Sequence, residues 1–299
     1  MSSQISGVYT AIVTPFDKSG NIDWESFEKL LQHQKDGGID GLVISGTTGE
    51  SPTLTVQEKL ALIRKARAFL PDNIKVMAGT GNNNTQASVE LSKLAVDAGA
   101  DSLLVVTPPY NKPSPSGLKL HFDTIADAVK HPICLYHVPA RTGQLLNAQL
   151  LAELCRNKHI VAVKEASADL GLFSRAELDS DAAYLSGDDA SFLPSLAVGG
   201  NGVISVVTNV FPKAFKELHS AFRSGNTERA TAIHRAILPI IDAMFCESNP
   251  SPAKAALAHM GFCQNYLRAP LAPVSEDSFN SIVETLNNSE SIFEDLGIK

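Results

Sequence analysis

Short runs of apolar, largely β-branched residues alternate with amphipathic stretches along most of the chain. Most of these runs are continuously apolar, which is typical of parallel strands that are covered on both faces. A helical pattern follows each run, so that the units repeat at intervals of roughly 20 to 35 residues. Eight such runs begin near Val8, Gly41, Lys75, Ser102, Ile133, Ile160, Ala182 and Gly202. This order predicts a parallel sheet built from repeated β–α units.

The helical patterns carry their own start and stop signals. Thr55 and Glu58 have the spacing of a capping box, and Asp23 can cap a helix that ends at Gly37-Gly38. A third helix is expected to end near Gly99. Apolar residues at helical spacing mark two further faces: Val56, Leu60, Ile63 and Leu70 in one stretch, and Leu118, Phe122, Ile125 and Val129 in the other. Eight strands, each followed by a helix, predict a (β/α)8 TIM barrel.

The chain length of 299 residues allows two domains of ordinary size or one barrel with an appendage. A doubly wound sheet is the alternative, but it would need a phosphate-binding G-x-G-x-x-G after its first strand. Thr14-Pro15-Phe16-Asp17 stands there instead. We therefore predict a catalytic barrel over 1–223 and a C-terminal helical extension over 224–299. Within the extension, helices are expected at 227–245, 252–260 and 275–287.

Composition narrows the classes of partner. The chain has 32 acidic and 25 basic residues, for a net charge of −7, whereas nucleic-acid binding normally needs a basic excess. It holds no run of 18 apolar residues, and its first residues lack the pattern of a secretion signal. The four cysteines form no C-x-x-C pair and have apolar neighbours, which predicts buried, reduced thiols. We expect a cytoplasmic protein that binds neither nucleic acid nor membrane.

Lys164 is the strongest chemical signal in the sequence. It ends an apolar strand on the same face as Ile160 and Ala162, and the small Ala162 leaves space beside it. Active sites of barrels lie at this end of the strands. Desolvation there would lower the pKa of the ammonium, so that a neutral amine could attack a carbonyl and form a Schiff base. The alternative is a lysine that reaches solvent at the barrel mouth or pairs with Glu165.

Tyr136 and His137 end the neighbouring strand and face opposite sides of the sheet. Alternation alone does not say which of the two points into the barrel. If Tyr136 does, its phenol lies on the strand beside Lys164 and can relay protons during imine formation. The alternative is a tyrosine that packs its ring and keeps its hydroxyl in water.

Two further strand ends suit a carboxylate. Thr47-Thr48-Gly49 follows the second strand and offers hydroxyls and backbone N–H groups at a tight turn. Arg141 follows the fifth strand and can bind a carboxylate with two hydrogen bonds. Each alone is more often an ordinary turn or a solvated charge, but all of these features converge on one rim. Because histidines and carboxylates do not mark the strand ends as a metal set would, we expect no metal ion.

Three ordered motifs carry a family resemblance. Gly46-Thr47-Thr48-Gly49-Glu50, Tyr136-x-Val138-Pro139-x-Arg141-Thr142-Gly143 and Val163-Lys164-Glu165 resemble the pyruvate-dependent class I aldolase and lyase family, the N-acetylneuraminate lyase superfamily. Within it, the chain is most similar to the dihydrodipicolinate synthase branch. The resemblance covers the stretch from Gly7 to Pro273 and implies a lyase of lysine and diaminopimelate biosynthesis that uses no organic cofactor.

The resemblance also implies roles for individual residues. Lys164 would hold pyruvate as a Schiff base, and the enamine formed from it would attack aspartate semialdehyde. Family members are usually homotetramers built from tight dimers, in which a neighbouring subunit would supply Tyr110. The remaining implied roles are a proton relay of Tyr136, Thr47 and Tyr110, pyruvate carboxylate binding by Thr47 and Thr48, aldehyde carboxylate binding by Arg141, and substrate contacts by Gly187 and Ile204.

Two other functions compete with this one. A sugar-acid aldolase would use the same Schiff-base lysine, but sialic acid lyases typically carry other residues where Arg141-Thr142 stands here. A fixed guanidinium favours a short anionic aldehyde over a sugar. The third hypothesis is a non-catalytic barrel that only binds a metabolite.

The chain departs from the family pattern in two places. His137 stands where the family usually has Asn, on the face opposite Tyr136. The positions that bind lysine in feedback-inhibited members match Val56, Lys59, Ala87 and Pro109. Because Lys59 would repel the ammonium of lysine and the other three cannot pair with it, we expect weak or absent inhibition by lysine.

Overall fold

The computed structural model describes residues 5–178 and 180–298. Its eight strands pair in parallel and in chain order, and the last pairs with the first to close a barrel. The strands are Gly7–Ala11 (β1), Gly41–Ile44 (β2), Lys75–Gly79 (β3), Ser102–Val106 (β4), Ile133–His137 (β5), Ile160–Glu165 (β6), Ala183–Ser186 (β7) and Gly202–Ser205 (β8). Each begins within one residue of its predicted start, which confirms the predicted TIM barrel.

The described part of the chain contains twelve α-helices. The first eight are Trp24–Asp36 (α1), Val56–Phe69 (α2), Thr85–Asp97 (α3), Pro115–Val129 (α4), Pro139–Thr142 (α5), Ala148–Leu154 (α6), Leu170–Leu178 (α7) and Phe192–Ala197 (α8). The last four are Pro212–Arg223 (α9), Thr227–Met244 (α10), Ser251–His259 (α11) and Glu276–Asp295 (α12). The predicted caps are present: Asp23 accepts from the Ser26 N–H, and Thr55 and Glu58 form a capping box.

Strand side chains divide between two apolar layers because successive residues point to opposite sides of the sheet. One layer fills the space between the strands and the surrounding helices. The other lies inside the barrel, and the strands contribute to it Tyr9, Ala11, Val43, Met77, Leu104, Cys134, Tyr136, Ala162, Ala183, Leu185 and Ile204. Inward-facing side chains near the C-terminal ends of the strands therefore form the floor of any site at the mouth.

The C-terminal extension is helical, as predicted, and α10 packs against both α9 and α12. The division of the chain at residue 223 into two units stays a prediction. The last predicted helix was too short, because α12 continues to Asp295. The polar run Asn287-Asn288-Ser289 resembles a helix end, but Ser289 and Phe293 are buried, and the Phe293 ring lies 4.9 Å from that of Phe211. Tertiary packing thus stabilises α12 across a stretch of low helix propensity.

The thiols are only partly buried. Cys134 and Cys263 are buried and Cys155 is half-buried, but Cys246 is exposed. The expectation of buried thiols is therefore wrong for Cys246, which follows the end of α10 and is succeeded by the charged Glu247. No helix among residues 5–178 and 180–298 is long and apolar enough to cross a membrane.

Candidate active site

A cavity of about 350 Å³ opens at the C-terminal ends of the barrel strands. It brings together six of the eight sequence-predicted site residues, which are Thr47, Thr48, Tyr136, Arg141, Lys164 and Gly187. A larger groove of about 490 Å³ lies between α1, α9 and α12, but none of the predicted residues lines it. The cavity at the mouth is therefore the candidate active site, as expected for a barrel.

Lys164 and Tyr136 face each other inside the barrel. They are register partners on β6 and β5, and the Lys164 Nζ lies 4.4 Å from the centroid of the Tyr136 ring. Both side chains are buried, with Lys164 only 5% exposed. Tyr136 is thus the inward residue of its strand, and Lys164 does not extend into solvent. A primary amine held against a phenol at the base of a cavity can act as a nucleophile beside a proton relay.

Gly187 leaves the space that the Lys164 side chain occupies. A Cβ atom at this position would lie 2.9 Å from Lys164 Cε and 2.7 Å from the Cβ of Ala166. Any other residue would therefore displace the lysine or the loop after β6. Gly187 lies just after β7 and lines the cavity, so its backbone is open to a small ligand.

The turn after β2 places two hydroxyls at the cavity. Thr48 is buried and Thr47 is half-buried. The Asn249 Nδ2 donates a hydrogen bond of 3.0 Å to Thr48 Oγ1, which leaves the hydrogen of the Thr48 hydroxyl free to be donated elsewhere. The turn therefore offers donors to an anionic ligand.

Arg141 lies at the rim on the short helix α5, and it is exposed. Its Nη2 donates to the backbone carbonyl of Asn249 at 3.4 Å. This contact still leaves most of the guanidinium hydrogens available to a carboxylate. Arg141 thus places a positive charge at the rim of the cavity.

Two acidic residues follow Gly187. Asp188 lines the cavity, whereas Asp189 is buried beneath it and accepts the Val206 N–H at 3.0 Å. Burial raises the pKa of the Asp189 carboxyl to about 6, although the hydrogen bond that it accepts from the Val206 N–H partly opposes this rise. A carboxyl with this pKa can change protonation near neutral pH.

Two of the predicted residues do not line the cavity. Ile204 is fully buried in the interior layer of the barrel. Tyr110 follows β4 with a positive φ of 74°, and its side chain is 91% exposed. Within one chain, Tyr110 therefore makes no part of the site.

Sequence reasoning missed a contribution from the C-terminal extension. Phe245, Ser248 and Asn249 line the cavity from the segment between α10 and α11. Asn249 contacts both Thr48 and Arg141, so it joins the two anion-binding elements. The only local signal was an Asn-Pro dipeptide in the gap between two predicted helices, which marks a turn but not where that turn lies in the fold.

No group of three or more His, Cys, Asp or Glu side chains in the described ranges is arranged to hold a metal ion. The chemistry available at the site is that of an amine, a phenol, two hydroxyls and a guanidinium. Together they can bind an anionic carbonyl compound and form an imine with it.

Comparisons with known proteins point to one family. The model of the dihydrodipicolinate synthetase family matches residues 4–289. A 4-hydroxy-tetrahydrodipicolinate synthase from Magnetococcus marinus is 43% identical over 272 residues, which cover 90% of this chain and 93% of that one. The solved structure of such a synthase from Methylacidiphilum fumariolicum has a TM-score of 0.95 at 38% identity and covers 98% of this chain and 99% of that one. A dihydrodipicolinate synthase characterised as the first monomeric variant has a TM-score of 0.93 at 39% identity, with coverage of 96% and 97%.

Proposed function

The chain belongs to the dihydrodipicolinate synthetase family, and we propose that it condenses pyruvate with L-aspartate 4-semialdehyde to give 4-hydroxy-tetrahydrodipicolinate. It is thus a lyase of the class I aldolase type in the diaminopimelate route to lysine. The observation that carries the proposal is the buried Lys164 amine against Tyr136, in a cavity that also holds Thr48 and Arg141.

In this reaction the Lys164 amine attacks the keto carbon of pyruvate, and loss of water gives an iminium ion. We assign to the Tyr136 phenol the transfer of protons to and from the intermediate, and the contact of its ring with the Lys164 amine supports this role. Loss of a proton from the methyl carbon gives an enamine, which attacks the aldehyde carbon of the second substrate. Because the product is a ring, the amino group of that substrate then attacks the iminium carbon and releases Lys164.

We assign the carboxylates of the two substrates to different parts of the cavity. The buried turn of Thr47 and Thr48 suits the pyruvate carboxylate, which must lie close to Lys164. Arg141 at the rim suits the carboxylate of aspartate semialdehyde, which enters second. A net charge of −7 gives anionic pyruvate no long-range attraction to the protein, so local hydrogen-bond donors must stabilise the bound carboxylates.

Turnover with two classes of aldehyde tests the proposed function. With pyruvate present, we expect kcat/KM for aspartate semialdehyde to exceed that for N-acetylmannosamine or glyceraldehyde by at least about 100-fold, because only the former places a carboxylate on Arg141. Coupled spectrophotometric assays measure both. A higher value for the sugar aldehydes would identify a sugar-acid aldolase, and no turnover of either would identify a binding protein.

The exposure of Tyr110 supports an assembly in which this residue serves a second copy of the chain. A phenol that is 91% exposed, as that of Tyr110 is, can contact a residue outside its own barrel. We therefore extend the proposal to a homotetramer of tight dimers, with Tyr110 of one copy completing the relay of Tyr136 and Thr47 in the other. We place this enzyme in the cytoplasm, where its unpaired thiols stay reduced.

Weak or absent inhibition by lysine is part of the proposal. Val56 and Lys59 lie in the first turns of α2, and Ala87 lies in the first turn of α3. The Lys59 ammonium would repel that of a bound lysine, and the apolar side chains of Val56 and Ala87 cannot pair with it. We expect less than about 20% loss of activity at 1 mM lysine, measured at subsaturating pyruvate. Half-inhibition at submillimolar lysine would contradict this.

A further inference from the structure

His137 and Glu165 form a buried pair on the side of the sheet opposite the cavity. They are register partners on β5 and β6, directly after the partners Tyr136 and Lys164. The His137 side chain is fully buried and that of Glu165 is 2% exposed. Successive strand residues face opposite sides, so this pair lies immediately behind the amine and the phenol of the active site.

Both ring nitrogens of His137 have partners, and together they define its hydrogen positions. The Leu146 N–H donates to His137 Nε2 at 3.1 Å, so this nitrogen carries no hydrogen. The other nitrogen, Nδ1, then carries the hydrogen and donates it to Glu165 Oε1 at 2.9 Å. His137 is thus a neutral imidazole that bridges a carboxylate and a backbone amide.

The Nδ1 side of His137 fixes the strand end that carries Lys164. Glu165 accepts from His137 and also from the backbone N–H and the hydroxyl of Ser167, at 2.9 and 3.0 Å. The carboxylate therefore holds both the neighbouring strand and the loop after β6. Because Lys164 and Glu165 are adjacent in the chain, rotation of one strand end would move both side chains.

The Nε2 side of His137 fixes the segment that carries Arg141. The backbone of His137 leads directly into α5, and its ring holds the Leu146 amide nine residues later. One side chain therefore fixes both ends of the loop over residues 138–146. Arg141 lies within this loop, at the rim of the cavity.

We propose that His137 is a positioning residue with two separable roles: through Glu165 it orients Lys164 for attack on pyruvate, and through Leu146 it holds Arg141 in place for the aldehyde. The inference rests on the proposed function for the identity of the second substrate. It predicts that loss of the bond to Glu165 affects the reaction of Lys164 with pyruvate, whereas loss of the bond to Leu146 affects binding of the aldehyde.

Two substitutions of His137 each retain one of the two hydrogen bonds that its ring makes. In His137→Asn the amide N–H₂ can occupy the Nδ1 position and donate to Glu165, but nothing accepts the Leu146 N–H. In His137→Gln the amide oxygen can reach the Nε2 position and accept from Leu146, but the bond to Glu165 is lost. A purely structural role would lower stability without separating the two steps.

The test measures the rate of borohydride trapping with pyruvate alone and the KM for aspartate semialdehyde in steady-state assays. For His137→Asn we expect trapping within about twofold of wild type and a KM raised about tenfold. For His137→Gln we expect trapping slowed about tenfold and a KM within about twofold. Equal effects of the two variants on both quantities, or no effect on either, would overturn the inference.

Two further variants keep the outcome interpretable. His121→Asn is the control, because it makes the same substitution at another buried histidine. His121 lies on α4 and contacts Thr85 at the start of α3, so its replacement should change neither the trapping rate nor the KM. Ser167→Ala removes one donor from Glu165 at a half-buried site and should slow trapping without changing the KM, even if the His137 variants fold poorly. Unchanged trapping in Ser167→Ala would count against the Glu165 half. A wild-type protein that forms no adduct would instead contradict the proposed function.

Discussion

Replacing Lys164 with methionine is expected to abolish borohydride trapping of pyruvate and to lower kcat about 10³-fold. Among the described residues that line the cavity, the substitution removes the only group that can form an imine, but the methionine side chain can still pack against the Tyr136 ring. Some turnover should remain, because Thr48 and Arg141 still bind and orient the substrates. Mass spectrometry of the reduced protein and steady-state kinetics measure the two effects.

Lys29→Met provides the matched control for this prediction. Lys29 lies on α1 with its side chain 53% exposed, so the same substitution there should change neither trapping nor kcat. A pyruvate adduct on a peptide that lacks Lys164 would contradict the proposed mechanism. So would a Lys164→Met enzyme that retains more than about a tenth of the wild-type kcat, since loss of a covalent intermediate costs far more than that.

The barrel could be predicted from the sequence because most of its strands give the same local signal. A continuous apolar run such as that from Ile160 to Val163 indicates a strand with two covered faces, and eight such strands alternating with helices favour a closed parallel barrel. Helix ends with side-chain caps, such as Asp23 and Thr55, were equally readable. Residues close together in the chain determine these strands and helix ends, so the sequence alone is enough to predict them.

The orientation of the active-site strands could not be predicted from local pattern. Alternation separates Tyr136 from His137 but gives no reason for one rather than the other to face inward. The choice depends on the register with β6, which pairs Tyr136 with Lys164 and His137 with Glu165 across 28 residues of chain. The partner of a histidine at that distance is visible only in the fold.

The contribution of the C-terminal extension to the cavity could not be predicted for the same reason. Asn249 contacts Thr48 across 201 residues of sequence, and nothing local to either residue signals that contact. The late end of α12 is a related case, because the burial of Phe293 outweighs the low helix propensity of the residues before it. Long-range packing, rather than chemistry of the segment itself, determines both.

A buried ion pair joins the extension to the turn that carries Thr47 and Thr48. Lys254 on α11 and Glu50 at the end of that turn pair with side chains that are both fully buried. Lys254 Nζ also donates to the Tyr266 carbonyl at 2.8 Å, and Glu50 Oε2 accepts the Arg268 N–H at 3.0 Å. Both charges are thus compensated, which is the condition for keeping an ion pair away from water.

The ring of Phe16 completes this junction. Lys254 Nζ lies 4.2 Å and the Arg268 guanidinium carbon 4.4 Å from the ring centroid. Arg268 in turn pairs with Glu58 on α2, and this contact holds the pKa of the Glu58 carboxyl at about 2. The extension is therefore held to the barrel beside the site by charges in fixed geometry, not by apolar packing alone.

Replacing Lys254 with methionine is expected to lower the free energy of unfolding by about 3–5 kcal/mol, because it leaves the Glu50 carboxylate buried without its cation. Urea denaturation at fixed protein concentration measures the change. The exposed pair of Lys29 and Glu25 sets the scale, since Lys29→Met should cost under about 0.5 kcal/mol.

The double variant Glu50→Leu/Lys254→Met decides whether the loss comes from an orphaned charge. With both charges gone, the pair becomes apolar, and we expect it to be more stable than Lys254→Met alone. If instead the double variant loses as much stability as Glu50→Leu and Lys254→Met lose together, the pair contributes packing rather than charge compensation. Because Glu50 ends the turn of Thr47 and Thr48, the single variant should also raise the KM for pyruvate, whereas Lys29→Met should not. Stability and pyruvate affinity would then depend on the same contact between the extension and the barrel.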